Sequence, residues 1–339
     1  MTDLVLGIES SCDDTAAAVV RHGREILSSV VHTQAAEHAP FGGVVPEIAG
    51  RSHLRSILPV IDEALAKAGV RLDQLAGIAV THRPGLVGSL LVGLSAAKAL
   101  AFTRGLPLVG VHHIEAHVYA ATMEAPGEVS YPCVALVVSG GHTALYRAES
   151  PLHMTQLATT LDDAAGEAFD KVAYLLGLPY PGGPSISDLA EQGDESAIPF
   201  PRYRAKDGSI GFSFSGLKTA VLYHVRGGDA LAPTPPPEAI PRRADVAASF
   251  QAAVVENLVR PTLRCARDQG VSQVLVAGGV ACNNRLREVL GARGREAGLQ
   301  VFFPSPAYST DNAAMIAGLG WQRLAAGARD GWDLDAQPS

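Results

Sequence analysis

Short apolar runs separated by polar turns dominate this chain. Leu4, Val5, Leu6 and Ile8 form one such run, which enters the turn Cys12-Asp13-Asp14-Thr15. A second apolar run, residues 16–20, follows at once, and the pattern predicts strand, turn, strand. The same plan returns at residues 133–138, with the turn Ser139-Gly140-Gly141-His142-Thr143 and then residues 144–146. Two such hairpins, roughly one domain length apart, predict a duplicated α/β architecture. On this repeat alone, two unrelated hairpins stay open as the alternative.

Between the hairpins, residues 77–80 read as a buried strand, followed by Pro84, Gly85 and a helix of small residues reaching Phe102. Residues 108–111 read as a strand leading into a helix that begins near His112. In the second half, residues 165–176 read as a helix stopped by Gly177 and Pro179, and residues 198–216 as irregular. Residues 230–241 hold five prolines and read as loop. The last third predicts a strand at 273–277, a turn at Gly278-Gly279-Val280, a helix at 284–294 and a closing helix from about Asp311.

Composition narrows the class. With 339 residues, 47% hydrophobic and 18% charged, two domains with large cores are expected rather than disorder. No apolar run reads as long enough to span a bilayer, and the start lacks a basic leader. Four scattered cysteines without a CxxC pair exclude a zinc ribbon and fit a reducing cytoplasm. The net charge of −7 is poor for unaided nucleic-acid binding, so any such substrate needs a local basic face or a partner.

His113 and His117 are one helical turn apart, about 40° around the axis, and can grip one ion. Two surface histidines are the plainer reading of such a pair; His112 beside them tilts the balance toward a site. Glu115 stands about 200° around the helix from His113, so the HExxH metalloprotease pattern lacks its base. Asp311 is the best distant third ligand, although a helix cap is the plainer role for a carboxylate there. The turns at Asp13-Asp14-Thr15 and at Ser139, Gly140 and Gly141 suit phosphate, each unspecifically. Glu167 and Lys171 read as an ordinary helix pair; Asp170 faces elsewhere, where a ribose hydroxyl is one partner open to it. Asn283 and Asn284 are each open as a hydrogen-bonding group or a helix start.

Taken together, residues 7–15, 112–117, 138–143, 166–171, 180–184, 212–221 and 310–317 resemble one family. It is the tRNA adenosine threonylcarbamoyltransferases, the TsaD family, once described as O-sialoglycoprotein endopeptidases. The resemblance runs from Leu6 to about Gly320. It implies an actin/hexokinase-like duplicated α/β fold (the ASKHA class), with two lobes and a ligand cleft between them. The expected division is residues 1–130, residues 131–325 with an irregular insertion around 198–245, and a tail at 326–339.

The resemblance further implies that His113, His117 and Asp311 bind one divalent metal ion, Fe(2+) or alternatively Zn(2+). Val137, Val138, Ser139, Gly140, Gly141, Asp170, Gly183 and Asn283 would line the site for an adenine nucleotide or threonylcarbamoyl-AMP. Glu9 and Asp13 are the carboxylates to test first for catalysis. The implied reaction moves a threonylcarbamoyl group to the adenosine 3′ of the anticodon in tRNAs reading codons that begin with A. Implied partners are an ASKHA-fold relative and a P-loop ATPase, without a membrane. A small-molecule kinase or a nucleotide-binding scaffold of the same fold is the alternative. Arg83 departs from the glycine usual before Pro84, and Ser309 from a frequent cysteine.

Overall fold

The alternation of apolar runs and turns becomes two five-stranded sheets of the same topology. The computed structural model describes residues 3–338 apart from Gly42, Pro126, Glu128 and Ala230. Ala230, which opens the proline-rich stretch, thus lies outside the described residues, as do Met1 and Thr2 at the start.

The chain begins with β1 (Leu4–Glu9), β2 (Asp14–Arg21) and β3 (Glu25–Thr33), then α1 (Ala35–His38) and α2 (Pro46–Ala68). It continues with β4 (Gly77–Arg83), α3 (Val87–Arg104), β5 (Leu108–His112) and α4 (His113–Met123). The second series opens with β6 (Cys133–Val138), β7 (Thr143–Ser150) and β8 (His153–Thr159). Four helices follow: α5 (Ala165–Leu175), α6 (Gly182–Ala190), α7 (Ser215–Val225) and α8 (Arg243–Asp268). The chain closes with β9 (Gln273–Ala277), α9 (Asn284–Glu296), β10 (Gln300–Phe302), α10 (Pro306–Ser309) and α11 (Ala313–Ala325).

The sheets run β3-β2-β1-β4-β5 and β10-β9-β6-β7-β8. In both, an antiparallel hairpin (β1/β2, β6/β7) is followed by a strand parallel to its first member (β4, β9). A fifth strand then extends the sheet in parallel, β5 beside β4 and β10 beside β9. Equivalent order and equivalent direction make the duplication real, and the two hairpins are counterparts rather than coincidence.

Two compact units result. One comprises residues 1–128, 150–153 and 310–339; the other comprises 129–149 and 154–309. Chain order would have placed α11 in the second unit, with residues 131–325. It belongs instead to the first, because small residues let it lie directly on the first sheet. A Cβ on Gly7 of β1 would strike the Ala313 carbonyl and come 2.6 Å from the Ala317 nitrogen. Only glycine permits that approach of helix backbone to strand.

The core of the first unit joins Ile8, Ile78 and Val80 of the sheet to Ile61 of α2 and Leu94, Ala97 and Ala101 of α3. Helices α2 and α3 each stop at a glycine in the left-handed conformation, Gly69 and Gly105. One expectation is corrected here. Among the described residues α3 is a helix of 18 residues long and apolar enough, by length and composition, to cross a membrane. Its buried face is explained by packing on the sheet. The second core gathers Val134, Leu136 and Val276 with Phe169, Phe212, Phe214 and Phe250.

Candidate metal centre

Strand β5 passes into α4 without a loop, and His112 caps the junction. Its Nδ1 accepts from the Ile114 backbone N–H at 3.2 Å. His112 therefore serves the helix start and does not join its neighbours. His113 and His117 do come together, their Nε2 atoms 3.1 Å apart. Asp311 Oδ1 lies 3.0 Å from His117 Nε2 and 3.5 Å from His113 Nε2.

The ambiguity over Asp311 is settled by its neighbour. Asn312 is the cap of α11, its Oδ1 accepting from the Met315 N–H at 3.0 Å. That leaves the Asp311 carboxylate to face α4. Its position follows from the glycine-permitted contact of α11 with β1 and from Gly318, where a Cβ would strike the Tyr119 and Met123 side chains of α4.

These three donors suit one ion. They lie within 4.8 Å of one another. Two ligands at about 2.1 Å from one ion stand roughly 3.0 Å apart at a right angle and roughly 3.4 Å apart at a tetrahedral one. The second ligand sphere is also present. Glu9 Oε2 lies 2.9 Å from His113 Nδ1, which directs Nε2 toward the other donors. His117 Nδ1 is buried without a partner, so that ring is held by packing and by its Nε2 contacts.

Charge points the same way. With neutral imidazoles, Glu9 and Asp311 leave two negative charges that a divalent cation would balance. Burial disfavours charge on His113, but Asp311 and Glu9 outweigh it and hold its pKa well above the usual range. Burial would also raise Asp311, yet His113 and His117 hold it well below the ordinary carboxylate range. The same pair of carboxylates thus favours either a proton on His113 or a cation beside it.

Glu9 itself is wholly buried, and both its oxygens are engaged. Oε1 accepts from the Ser11 N–H at 2.5 Å, and Oε2 from the Thr81 hydroxyl at 2.7 Å as well as facing His113. This geometry makes it a positioning residue, unsuited to collecting a proton from substrate. Asp13 is half-buried in the turn after β1 and is not among the residues gathered at the cluster. Arg83 is exposed and donates to Gln337 at 3.2 Å, which accounts for the long cation next to Pro84. Glu115 takes no part in the cluster, as its helical angle predicts.

The sequence reading placed Asp14 in a turn suited to phosphate but not as a buried carboxylate. Its Oδ1 is buried without a partner. Burial, followed by the charge of Asp311, pushes its pKa up to about 7. In the unfolded chain it ionises near pH 4. Stability is therefore unaffected below pH 4, falls as pH rises from 4 to 7, and carries the full cost above 7. In chelator-treated protein, Asp14→Asn should gain on the order of 3 kcal/mol relative to wild type at pH 8, and far less at pH 5. Thermal melts at the two pH values read this directly; an equal offset at both would mean that Asp14 is ionised throughout.

In the second unit, the turn after β6 is built as the first hairpin's counterpart. Val137 and Val138 are strand residues with wholly buried side chains. The central position of β6 in its sheet is the reason. The solvent-facing part is Ser139, Gly140 and Gly141, and a Cβ on either glycine would meet open space. Ser139 Oγ accepts from the His142 N–H at 3.1 Å, closing the turn. Gly166 and Gly278 pack against it, a Cβ on Gly166 falling 2.8 Å from Gly140.

Asp170 accepts from the Gly182 N–H at 2.8 Å, and burial, then Glu167, raises its pKa. Gly183, next in line, has open space above its Cα. Asn283 caps α9 through Leu286 N and donates to Ser187 and Gln251 at 3.0 and 2.8 Å. Its amide is thus already employed in structure. The 212–221 segment packs: Phe212 and Phe214 are wholly buried, and Asp162 accepts from Ser213, Phe214 and Ser215. Ser309 is buried, its hydroxyl donating to the Ser305 carbonyl at 2.9 Å.

Solved structures of the same fold include full-length HypF in its phosphate- and nucleotide-bound form. That match has a TM-score of 0.63 at 14% identity, covering 96% of this chain and 47% of that one. Component A of (R)-2-hydroxyglutaryl-CoA dehydratase from Acidaminococcus fermentans matches with a TM-score of 0.53 at 16% identity, covering 95% and 99%. The fold is therefore the actin/hexokinase-like class, a duplicated α/β architecture, here with a His–His–Asp group able to hold a metal ion.

Sequence comparison is more specific. Residues 25–318 match the family model for TsaD, tRNA N6-adenosine threonylcarbamoyltransferase. The protein of that name from Geobacter metallireducens is 55% identical over 333 residues, 98% of this chain and 95% of the relative. The one from Symbiobacterium thermophilum is 54% identical over 336 residues, covering 99% and 96%. The chain belongs to the tRNA N6-adenosine threonylcarbamoyltransferase family.

Proposed function

We propose that this chain transfers the threonylcarbamoyl group of threonylcarbamoyl-AMP to the N6 amine of the adenosine 3′ of the anticodon, in tRNAs reading codons that begin with A. The observation that carries this reading is the match over nearly the whole chain to relatives named for that transfer. The amine nitrogen attacks the carbamoyl carbon and forms the new C–N bond. The bond from that carbon to the phosphate oxygen breaks, AMP leaves with the electron pair, and the amine gives up one proton.

His113, His117 and Asp311 would hold the divalent ion, and Glu9 orients His113 toward it. Two imidazoles and one carboxylate suit Fe(2+), the ion implied by the family resemblance, and Zn(2+) as well. Such an ion would supply Lewis acidity. The N–H groups of Gly140 and Gly141 would meet the phosphate of the adenylate, the Ser139 N–H already donating to the His142 carbonyl at 2.8 Å, with Asp170, Gly183 and Asn283 toward the nucleoside. Asp13 is kept as a candidate for the proton.

The related ASKHA-fold partner and the P-loop ATPase belong to the same reading. So does a cytoplasmic location, which the four unpaired cysteines support.

The test is transfer to a defined tRNA transcript from synthetic threonylcarbamoyl-AMP, with the partner proteins present and nucleoside mass spectrometry as readout. Modified adenosine is expected from wild type. No product, in a mixture that works with another family member, would overturn the assignment.

A further inference from the structure

The chain carries 34 acidic against 27 basic side chains, so a surface that attracts phosphate has to be local. The second unit has such a surface. Where the segment before α7 meets α8, a cavity of about 260 Å³ is lined by Arg204, Arg260 and Arg264, with Tyr203 beside them and no carboxylate. Arg202 and Lys206 flank it in sequence, and both are exposed. No ion pair is found for Arg202, Arg204 or Lys206 among the described residues. Arg260 donates to the Tyr203 carbonyl, which fixes the segment to α8. Arg264 is shared with Asp268, at 3.3 Å and one helical turn away, an exposed pair of small worth.

We infer that this cationic concavity docks the sugar–phosphate backbone of an RNA. Three guanidinium groups from two separate segments, with two further cations alongside, suit a run of phosphates better than one small anion. Guanidinium–phosphate contacts of this kind set affinity and register without reading sequence. The Tyr203 ring adds a face on which an unpaired base can stack. The inference rests on the reading of the chain as a tRNA-modifying enzyme, and supplies the basic face that its net charge demands.

The experiment is an anisotropy titration of labelled tRNA transcript with the full chain at several salt concentrations. The variants are Arg204→Glu, Arg264→Ala and Arg204→Lys. Arg71→Glu, an exposed reversal in the first unit, controls for net charge. Arg204→Glu should weaken binding about tenfold or more and lower the salt slope by about 1 per lost phosphate contact. Arg264→Ala should act in the same direction, while Arg204→Lys and Arg71→Glu stay within about twofold of wild type. In the transfer assay, KM for tRNA should rise while that for threonylcarbamoyl-AMP holds.

Wild-type affinity and slope in both Arg204→Glu and Arg264→Ala would overturn the docking site while leaving the transferase reading intact. Failure of wild type itself to bind or modify tRNA would remove the parent reading, and this inference with it.

Discussion

Replacing both His113 and His117 by alanine should take the purified protein from about one bound divalent ion per chain to none, and with it abolish transfer. The two Nε2 atoms and Asp311 Oδ1 are the three donors that converge, and removing two leaves a lone carboxylate. Loss of Lewis-acid assistance worth several kcal/mol corresponds to a rate fall of about a thousandfold or more. Elemental analysis and nucleoside mass spectrometry report the two effects separately. A thermal melt gives a third. An ion present at a hundred times its Kd stabilises by about 2.7 kcal/mol, so a chelator should lower the wild-type Tm by a few degrees and leave the double variant unmoved. A variant that retains its full complement of metal would show that the ion sits elsewhere.

Glu9→Gln is the finer probe, because it changes one atom and no shape. The Ser11 N–H, 2.5 Å from Oε1, forces the glutamine oxygen to that side. Its NH2 group then faces Thr81 and His113 Nδ1, at the position where Oε2 accepts in the wild type. A donor there moves the imidazole proton onto Nε2, the atom needed as a ligand. Metal affinity should fall about 10- to 100-fold with the fold retained. Competition against a chromophoric chelator measures it. An unchanged affinity would mean that Glu9 does not set the His113 tautomer.

The shared face of the histidine pair was legible from spacing alone, while its metal role was implied only by the family resemblance. His113 and His117 had to share a face, and Glu115 had to point away, since both statements follow from the pitch of a helix. Asp311 was not decidable from the chain. A carboxylate at a helix start is usually its cap, and only the structure shows Asn312 doing that work. Glu9 was noticed as a carboxylate but not as a buried one, because its partners come from positions 11, 81 and 113. Asp14 was read only as part of a phosphate-suited turn for the same reason: its burial depends on elements far along the chain.

The fold was legible in its hairpins and parallel strands, where apolar runs are sharply bounded. It was less so in α2, α6 and α8, which the reading did not anticipate. Helix α8 contains Pro261, and α6 opens on glycine and proline, both of which read locally as breaks. Strands β3 and β8 lie at sheet edges and expose much of their length, so their apolar pattern is weak. The placement of α11 could not be foreseen, since a stripe of glycine and alanine says nothing of which sheet it will meet.

That placement sets an order in time. Asp311 follows His117 by 194 residues, and the helix that anchors it comes later still. At about 5–20 residues per second, a ribosome needs roughly 10–40 seconds between releasing the first two ligands and the third. The first sheet waits over the same interval with its glycine-lined face uncovered. A product broken off anywhere in that interval would hold a histidine pair but no complete site. Retention of the ion would then distinguish finished chains from abandoned ones.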